Sequence, residues 1–166
     1  MQERLLPAIC GAERVQQQVV RLLEGAAVLG LPVLGTEQYR KGLGATVPEV
    51  MRALRGAALV EKLTFSAWGS EAVRSALKTG GMKDVILCGI EAHVCVCQTC
   101  LDLLDEGYRV FVVGDATSSR KAENHGFGIE RMGQAGAIIV STEMILFELL
   151  QRAGTEEFKK ILGLVR

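Results

Sequence analysis

The segment Gly89-Ile90-Glu91-Ala92-His93-Val94-Cys95-Val96 is the part of this sequence best suited to chemistry. The apolar run Val85–Gly89 reads as a buried strand; a tight turn follows, and Cys95 falls where a helix begins. The dipole and free N–H groups of a helix start favour a thiolate, and they supply donors for an oxyanion. A cysteine placed there can attack a carbonyl carbon. Buried cysteine is common, so packing as a small hydrophobe is the competing reading. Lys62 ends a second apolar run and has two readings of its own. It can hold a thiolate or polarise a substrate; taken alone, a solvated lysine at a strand tip is the better account.

Other side chains stand where a pocket would form. Tyr39, Phe65 and Trp68 are candidates for an apolar lining, with Gln38 and Arg40 as polar contacts. Core packing explains Phe65 equally well. His93 lines the pocket or is an ordinary hydrogen-bonded histidine. Arg120, after Ser118-Ser119, is suited to a carboxylate or to a structural ion pair. Cys95-x-Cys97-x-x-Cys100 has the look of a metal or redox cluster. On a helix, however, Cys97 and Cys100 share a face that Cys95 does not, and zinc needs a fourth ligand. Gly42-Leu43-Gly44 is followed by no Lys-Ser/Thr pair at phosphate-loop spacing. No metal and no cofactor is therefore expected.

These residues need a scaffold, and the pattern supplies one. Strands are expected at Leu31–Thr36, Ala57–Glu61, Val85–Gly89, Arg109–Gly114 and Gly136–Ser141. Helices are expected at Gly11–Leu29, from Pro48 to about Leu54, and at Ser70–Thr79, Val94–Glu106, Lys121–Gln134, Glu143–Ala153 and Glu156–Leu162. Glu37–Thr46 reads as a Gly-rich loop. Gly126 and Gly128 weaken their helix by roughly 1 kcal/mol each. Apolar strands alternating with helices imply a doubly wound, three-layer α/β sandwich around a mostly parallel sheet. In such sheets the chemistry sits at the carboxyl ends of the strands.

Bulk composition narrows the function classes. A chain of 166 residues is one domain, 1–166, long enough to bury a core. It has 19 basic and 19 acidic residues, well mixed, so no basic face marks it for nucleic acid or a membrane. Five cysteines, an odd number with three crowded together, fit a reduced interior better than a disulfide framework. A cytoplasmic site is expected, with a mitochondrial one as the alternative.

Glu61-Lys62-Leu63-Thr64-Phe65-Ser66-Ala67, then Cys88-Gly89-Ile90-Glu91-Ala92-His93-Val94-Cys95 and Thr99, resembles the isochorismatase-like cysteine hydrolases. The isochorismatase domain-containing subgroup is the nearest resemblance. It also shares Thr36-Glu37-Gln38-Tyr39, Gly42-Leu43-Gly44, Asp115-Ala116, Ser118-Ser119-Arg120, Arg131-Met132, Gly136-Ala137 and Glu143 near Leu146. The resemblance implies an Asp-Lys-Cys triad with Cys95 as nucleophile and Lys62 as its lysine. It implies an oxyanion hole from the Glu91 and Cys95 amides and a cis peptide at Ile90–Glu91. It further implies a pocket for a small molecule and a homo-oligomer. The metal-dependent nicotinamidase variant is disfavoured, because Thr36–Gly44 holds no histidine.

The family's acid ends a first, central strand just before a segment like Met1-Gln2-Glu3-Arg4-Leu5-Leu6. That Asp and that strand are expected to be missing from this chain, leaving a break in the sheet. Unpaired buried groups along such a break cost roughly 1–3 kcal/mol each. The expectation is that the natural chain is longer, or that something else fills the break. Asp115, at another strand end, is expected to be structural. Two functions follow: a cysteine hydrolase acting on a small amide, ester or vinyl ether, or a non-catalytic scaffold or interaction protein of the same fold.

Overall fold

A computed structural model describes all residues, Met1–Arg166. Helix α1 (Ala12–Val28) begins after left-handed Gly11 and buries Val15, Val19, Leu22 and Leu23 at helical spacing. It leads to β1 (Leu34–Gln38), a short helix α2 (Arg40–Leu43), α3 (Pro48–Leu54) and β2 (Ala58–Lys62). Pro48 opens α3 from the extended Val47, and left-handed Arg55 closes it. Then come α4 (Glu71–Gly80), β3 (Asp84–Ile90), a π turn (Ala92–Val96), α5 (Cys97–Asp105) and β4 (Arg109–Ser118). Helix α6 (Ala122–Gln134), β5 (Ile138–Val140), α7 (Thr142–Leu150) and α8 (Glu156–Val165) complete the chain. The Ser141 and Thr155 hydroxyls accept the amides of Met144 and Phe158, capping α7 and α8 at 3.2 and 3.1 Å.

All strand pairs are parallel, and they fall into two pieces: β1 with β2, and β3–β4–β5 in that order. No ladder joins β1 to β3, so the sheet breaks where the expected first strand would lie. Strand β4 alternates between two cores. Phe111 and Val113 face a cluster built with Val19, Leu22, Leu23, Val50, Ile145, Leu146 and Ile161. Val110 and Val112 face Cys97, Cys100, Leu103, Met132 and Trp68. Period-two alternation thus places helices on both faces, giving the expected α/β layering. Leu59 of β2 and Ile86 of β3 both pack on the first cluster, so one core runs beneath the break.

Several expected boundaries shift: the helix expected from Val94 starts at Cys97 after the π turn, the strand expected over Gly136–Ser141 is Ile138–Val140, and the loop expected over Glu37–Thr46 contains α2. Two further shifts bear on the site. The first strand is Leu34–Gln38, not Leu31–Thr36, so Glu37 and Gln38 are strand residues rather than loop. Left-handed Gly30 and then Pro32 delay pairing until Leu34 meets Ala58. Strand β4 continues beyond Gly114 to Ser118, because a register shift between Leu87 and Gly89 restores pairing at Gly89–Thr117 and Ile90–Ser118. Asp115, inside this strand, accepts the Thr142 amide and hydroxyl at 2.8 and 2.9 Å and so anchors the start of α7. Gly128 is also explained: a Cβ there would lie 3.0 Å from the His93 backbone, so its absence lets α6 press against the turn carrying Cys95.

Candidate active site

Both sheet pieces direct their carboxyl ends at one cavity of about 260 Å³. It is lined by Gln38 and Lys62 from the β1–β2 piece, Phe65 from the loop beyond it, and Ile90, Glu91, Cys95 and Arg120 from the other side. The structure therefore brings together Cys95, Lys62, Glu91, Gln38 and Phe65. It does not bring Tyr39 or His93 into the lining. Tyr39, left-handed and half-exposed, closes over Gly42, where a Cβ would meet its ring at 2.2 Å. The His93 ring turns to the fully buried Ser119, 2.9 Å from its Oγ, with Asn124 at 3.5 Å. Trp68 is a core residue, edge-on to Tyr108 with its indole N–H on Glu106.

Lys62 is buried and gripped. Its ammonium donates to Gln38 Oε1 at 2.6 Å, to the Phe65 carbonyl at 2.7 Å and to the Thr64 carbonyl at 3.0 Å. Gln38 stands directly opposite Lys62 in the strand register, and its own Nε2 donates to the Leu63 carbonyl. Burial pulls the Lys62 pKa below the ordinary lysine value, and the neighbouring Cys95 sulfur opposes that pull. The ammonium thus stands beside the thiol, held by neutral oxygens.

Cys95 sits on the π turn, where the Val96 amide reaches back to the Glu91 carbonyl at 3.2 Å. The Ile90–Glu91 peptide leading into that turn is cis, as the family resemblance implies. The Lys62 ammonium and the Glu91 backbone N–H lie beside the sulfur and favour its anion. Burial nevertheless pushes the Cys95 thiol above its usual value, and the Glu91 carboxylate adds to the rise. A thiolate favoured simply by a helix start is thus corrected: desolvation outweighs the donors. Glu91 is the sole carboxylate in the lining, and its Oε1 already accepts Arg120 Nε at 2.9 Å and the Arg120 amide at 3.1 Å.

Polar residues to which the sequence assigned no role of their own hold this half in place. Glu37 is almost fully buried and accepts both the amide and hydroxyl of Thr46. The Gln2 side-chain amide receives the Gln38 N–H at 2.8 Å and donates to the Gln38 carbonyl at 3.0 Å. It thereby imitates a neighbouring strand at the open edge of β1. The available signal for Glu37 was its place in the Thr36-Glu37-Gln38-Tyr39 motif; Gln2 and Thr46 carried none. Cys97 and Cys100 are packed in the second core, where burial raises both thiols, Cys100 to about 11. No group of three or more His, Cys, Asp or Glu is arranged to hold a metal ion.

The isochorismatase domain matches residues 1–144. The chain belongs to the isochorismatase-domain family. Isochorismatase domain-containing protein 1 of Danio rerio is 41% identical over 167 aligned positions, covering 100% of this chain and 58% of that protein. The chain thus spans under two thirds of that relative's length. A secreted isochorismatase effector of Phytophthora sojae is 45% identical over 87% of this chain and 71% of its own. Among solved structures, the MAR1 ribonuclease of Caenorhabditis elegans is 38% identical, with a TM-score of 0.93 over 99% of this chain and 84% of that one. YcaC of Pseudomonas aeruginosa, described with covalent acrylamide, is 29% identical, with a TM-score of 0.91 over 98% and 84%. The Escherichia coli YcaC gene product, described as an octameric hydrolase of unknown specificity, is 26% identical, with a TM-score of 0.91 over 98% and 83%. These likenesses fix the family and the α/β fold. No helix is long and apolar enough to cross a membrane.

Proposed function

We propose that the chain carries the cysteine half of a hydrolase site for a small amide, ester or vinyl ether. The observation behind this reading is the convergence on one sulfur, beside a cavity, of the Lys62 ammonium and the Glu91 amide. For an ester or amide, the Cys95 thiolate attacks the carbonyl carbon, forming a C–S bond. The Glu91 and Cys95 amides hold the oxyanion. Collapse to the thioester expels the alcohol or amine, which takes up the proton lost by the thiol. Water then cleaves the C–S bond and restores Cys95. Lys62 favours the anion throughout. Glu91 is a poor base, since Arg120 already occupies its carboxylate. The proton acceptor for efficient turnover is therefore the one function these lining residues do not provide. One YcaC structure is described with covalent acrylamide, an electrophile that takes a nucleophile at its vinyl carbon; it bears on the presence of a reactive group in that relative and not on amide cleavage.

The same engaged Glu91 and raised Cys95 thiol favour a second reading, a pocket retained for binding without turnover. RNA is a third substrate class, raised by the name of the MAR1 neighbour; the even mixture of charges argues against it. As in the octameric neighbour, a homo-oligomer is proposed. A reduced cytoplasmic setting is also proposed, with the secreted effector as a counterexample among relatives.

The test is site-resolved alkylation with iodoacetamide in a Cys10→Ser background, because Cys10 is exposed. Hydrolysis of a panel of small esters and amides, and of RNA, follows with Cys95→Ala as control. Cys95 is expected to label faster than Cys97 and Cys100, and Cys95→Ala to abolish hydrolysis. Equal, slow labelling of all three sinks the hydrolase. Labelling without turnover selects the binding pocket. RNA cleavage lost in Cys95→Ala replaces the small-molecule substrate with RNA.

A further inference from the structure

The nucleophile and its lysine stand on different pieces of the sheet, so something must hold their separation. The side chains lining the cavity do not span that distance through the backbone. One buried hydroxyl outside the lining does. Thr99 Oγ1 donates to the Cys95 carbonyl at 2.6 Å and accepts the Ala67 backbone N–H at 2.8 Å.

Ala67 belongs to the loop that follows Lys62, and the carbonyls of Thr64 and Phe65 in that loop grip the Lys62 ammonium. The loop is braced internally by Thr64 Oγ1 on the Ser66 carbonyl and by the Ser66 hydroxyl, which accepts the Trp68 amide. Thr99 itself lies on α5 and is buried. A continuous path therefore runs from the Lys62 ammonium, through its carbonyl cradle and the Ala67 amide, to the Thr99 hydroxyl and the Cys95 peptide.

We infer that Thr99 is a positioning residue for the Cys95–Lys62 pair, joining the peptide of the nucleophile to the loop that cradles its lysine. The inference rests on the reading of Cys95 as nucleophile. A hydroxyl is required because the site needs one donor and one acceptor on the same atom. Valine has the same shape and neither function. It leaves the Ala67 N–H and the Cys95 carbonyl without this partner, and the loop and the turn lose their common reference. The charged side chains facing Cys95 are Lys62 from β2 and Glu91 from the turn, with Arg120 lining the same cavity. Of these, Lys62 is the one whose distance Thr99 controls.

The experiment follows iodoacetamide alkylation of Cys95 against pH, in the full chain with Cys10→Ser, for wild type, Thr99→Ser, Thr99→Val and Ala67→Pro. Ala67→Pro removes the amide donor and leaves Thr99 untouched. Proline is tolerated there because Ala67 opens a short 3-10 turn after Ser66 at φ −65° and ψ 134°. Thr99→Val and Ala67→Pro are expected to slow labelling at neutral pH by about fivefold, the equivalent of one neutral hydrogen bond. Both should move the midpoint of the pH profile upward, and Thr99→Ser should restore the wild-type profile. Circular dichroism identifies the variants that keep the fold, and either one that does decides the matter. A folded Thr99→Val or Ala67→Pro with the wild-type profile overturns the positioning role. Absence of preferential Cys95 labelling in wild type instead overturns the nucleophile reading, so the two failures are distinguishable.

Discussion

The two pieces of the sheet hold together by different physics. In the β3–β4–β5 piece, Val110, Val112 and Val113 are fully buried between two apolar clusters. In the β1–β2 piece, no strand residue is a fully buried hydrophobe; its buried members are Glu37 and Lys62. The first piece is secured by area removed from water, which is non-directional and forgiving. The second is secured by hydrogen bonds that must be made with the right partner: Gln2 on Gln38, Thr46 on Glu37, and Lys62 on its ring of oxygens. The proposed site needs both. The apolar piece presents the thiol on a firm turn, and the polar piece delivers the cation. Amides of Val110–Val113 should accordingly exchange hydrogen most slowly, and those of Gly35–Lys62 much faster, by local opening. Equal protection of the two pieces would erase the distinction.

The largest effect on stability is expected at the apolar side. Leu146 of α7 is fully buried against α1, and its Cδ2 occupies the space a Gly25 Cβ would need, 2.3 Å away. Leu146→Ala should cost about 2–5 kcal/mol in urea denaturation, as deletions of buried leucine do. Cys95 alkylation in the surviving folded fraction should be unchanged. The mirror change on the polar side is Glu37→Ala, which strands the Thr46 amide and hydroxyl. About 1–3 kcal/mol is expected from the unsatisfied groups. The loss should be concentrated in faster exchange of β1 and β2 rather than of β4. An evenly spread loss would mean that the two pieces unfold as one.

This contrast also explains what was legible in the sequence. The helices came from apolar spacing, as with Val15, Val19, Leu22 and Leu23 on α1, and β4 came from a run buried on both faces. Burial of apolar side chains is a local, periodic signal. Lys62 was readable at a strand end and Cys95 at a helix start beyond one, with the family motifs selecting both as candidates; the structure puts Cys95 on the π turn that precedes that helix. Gln2, Thr46 and Thr99 act through partners 36, 9 and 32 positions away, so no periodicity marks them. The same cause left His93 open between lining the pocket and being an ordinary hydrogen-bonded histidine; Ser119, 26 positions on, selects the second. The thiol's direction of shift was illegible too, because it depends on how much water the fold removes from the sulfur.

A smaller effect separates the pieces by pH. Cys100, packed among apolar residues, has its thiol raised from 9.0 to about 11 by burial. A group raised in the folded state contributes fully below its unfolded value and loses that contribution as pH climbs to the folded one. Stability should therefore fall between about pH 9 and pH 11, at no more than about 1.4 kcal/mol per pH unit for each such thiol. In Cys100→Ala the slope should be shallower by up to one proton, although the starting stability is lower from the cavity. An unchanged slope would show that Cys100 remains accessible to water.

The smallest effect belongs to the one paired charge at the start of the apolar piece. Asp84 and Arg109 face each other across β3 and β4, with Arg109 Nε on Asp84 Oδ1 at 2.8 Å. The hydrogen bond from Arg109 lowers the Asp84 pKa below the usual carboxylate value. Its contribution is therefore present above the ordinary carboxylate value and lost as pH falls through the lowered one. Both side chains are largely in water, so Asp84→Asn should shift the thermal midpoint barely at neutral pH, and not at all in 1 M salt. A hydrogen-bonded pair here counts for little because apolar burial already fixes the β3–β4 register. Glu37 counts for more because no fully buried apolar side chain backs it up on β1. If Asp84→Asn proved as damaging as Glu37→Ala, polar contacts would be holding both pieces, and the proposed division between them would fail.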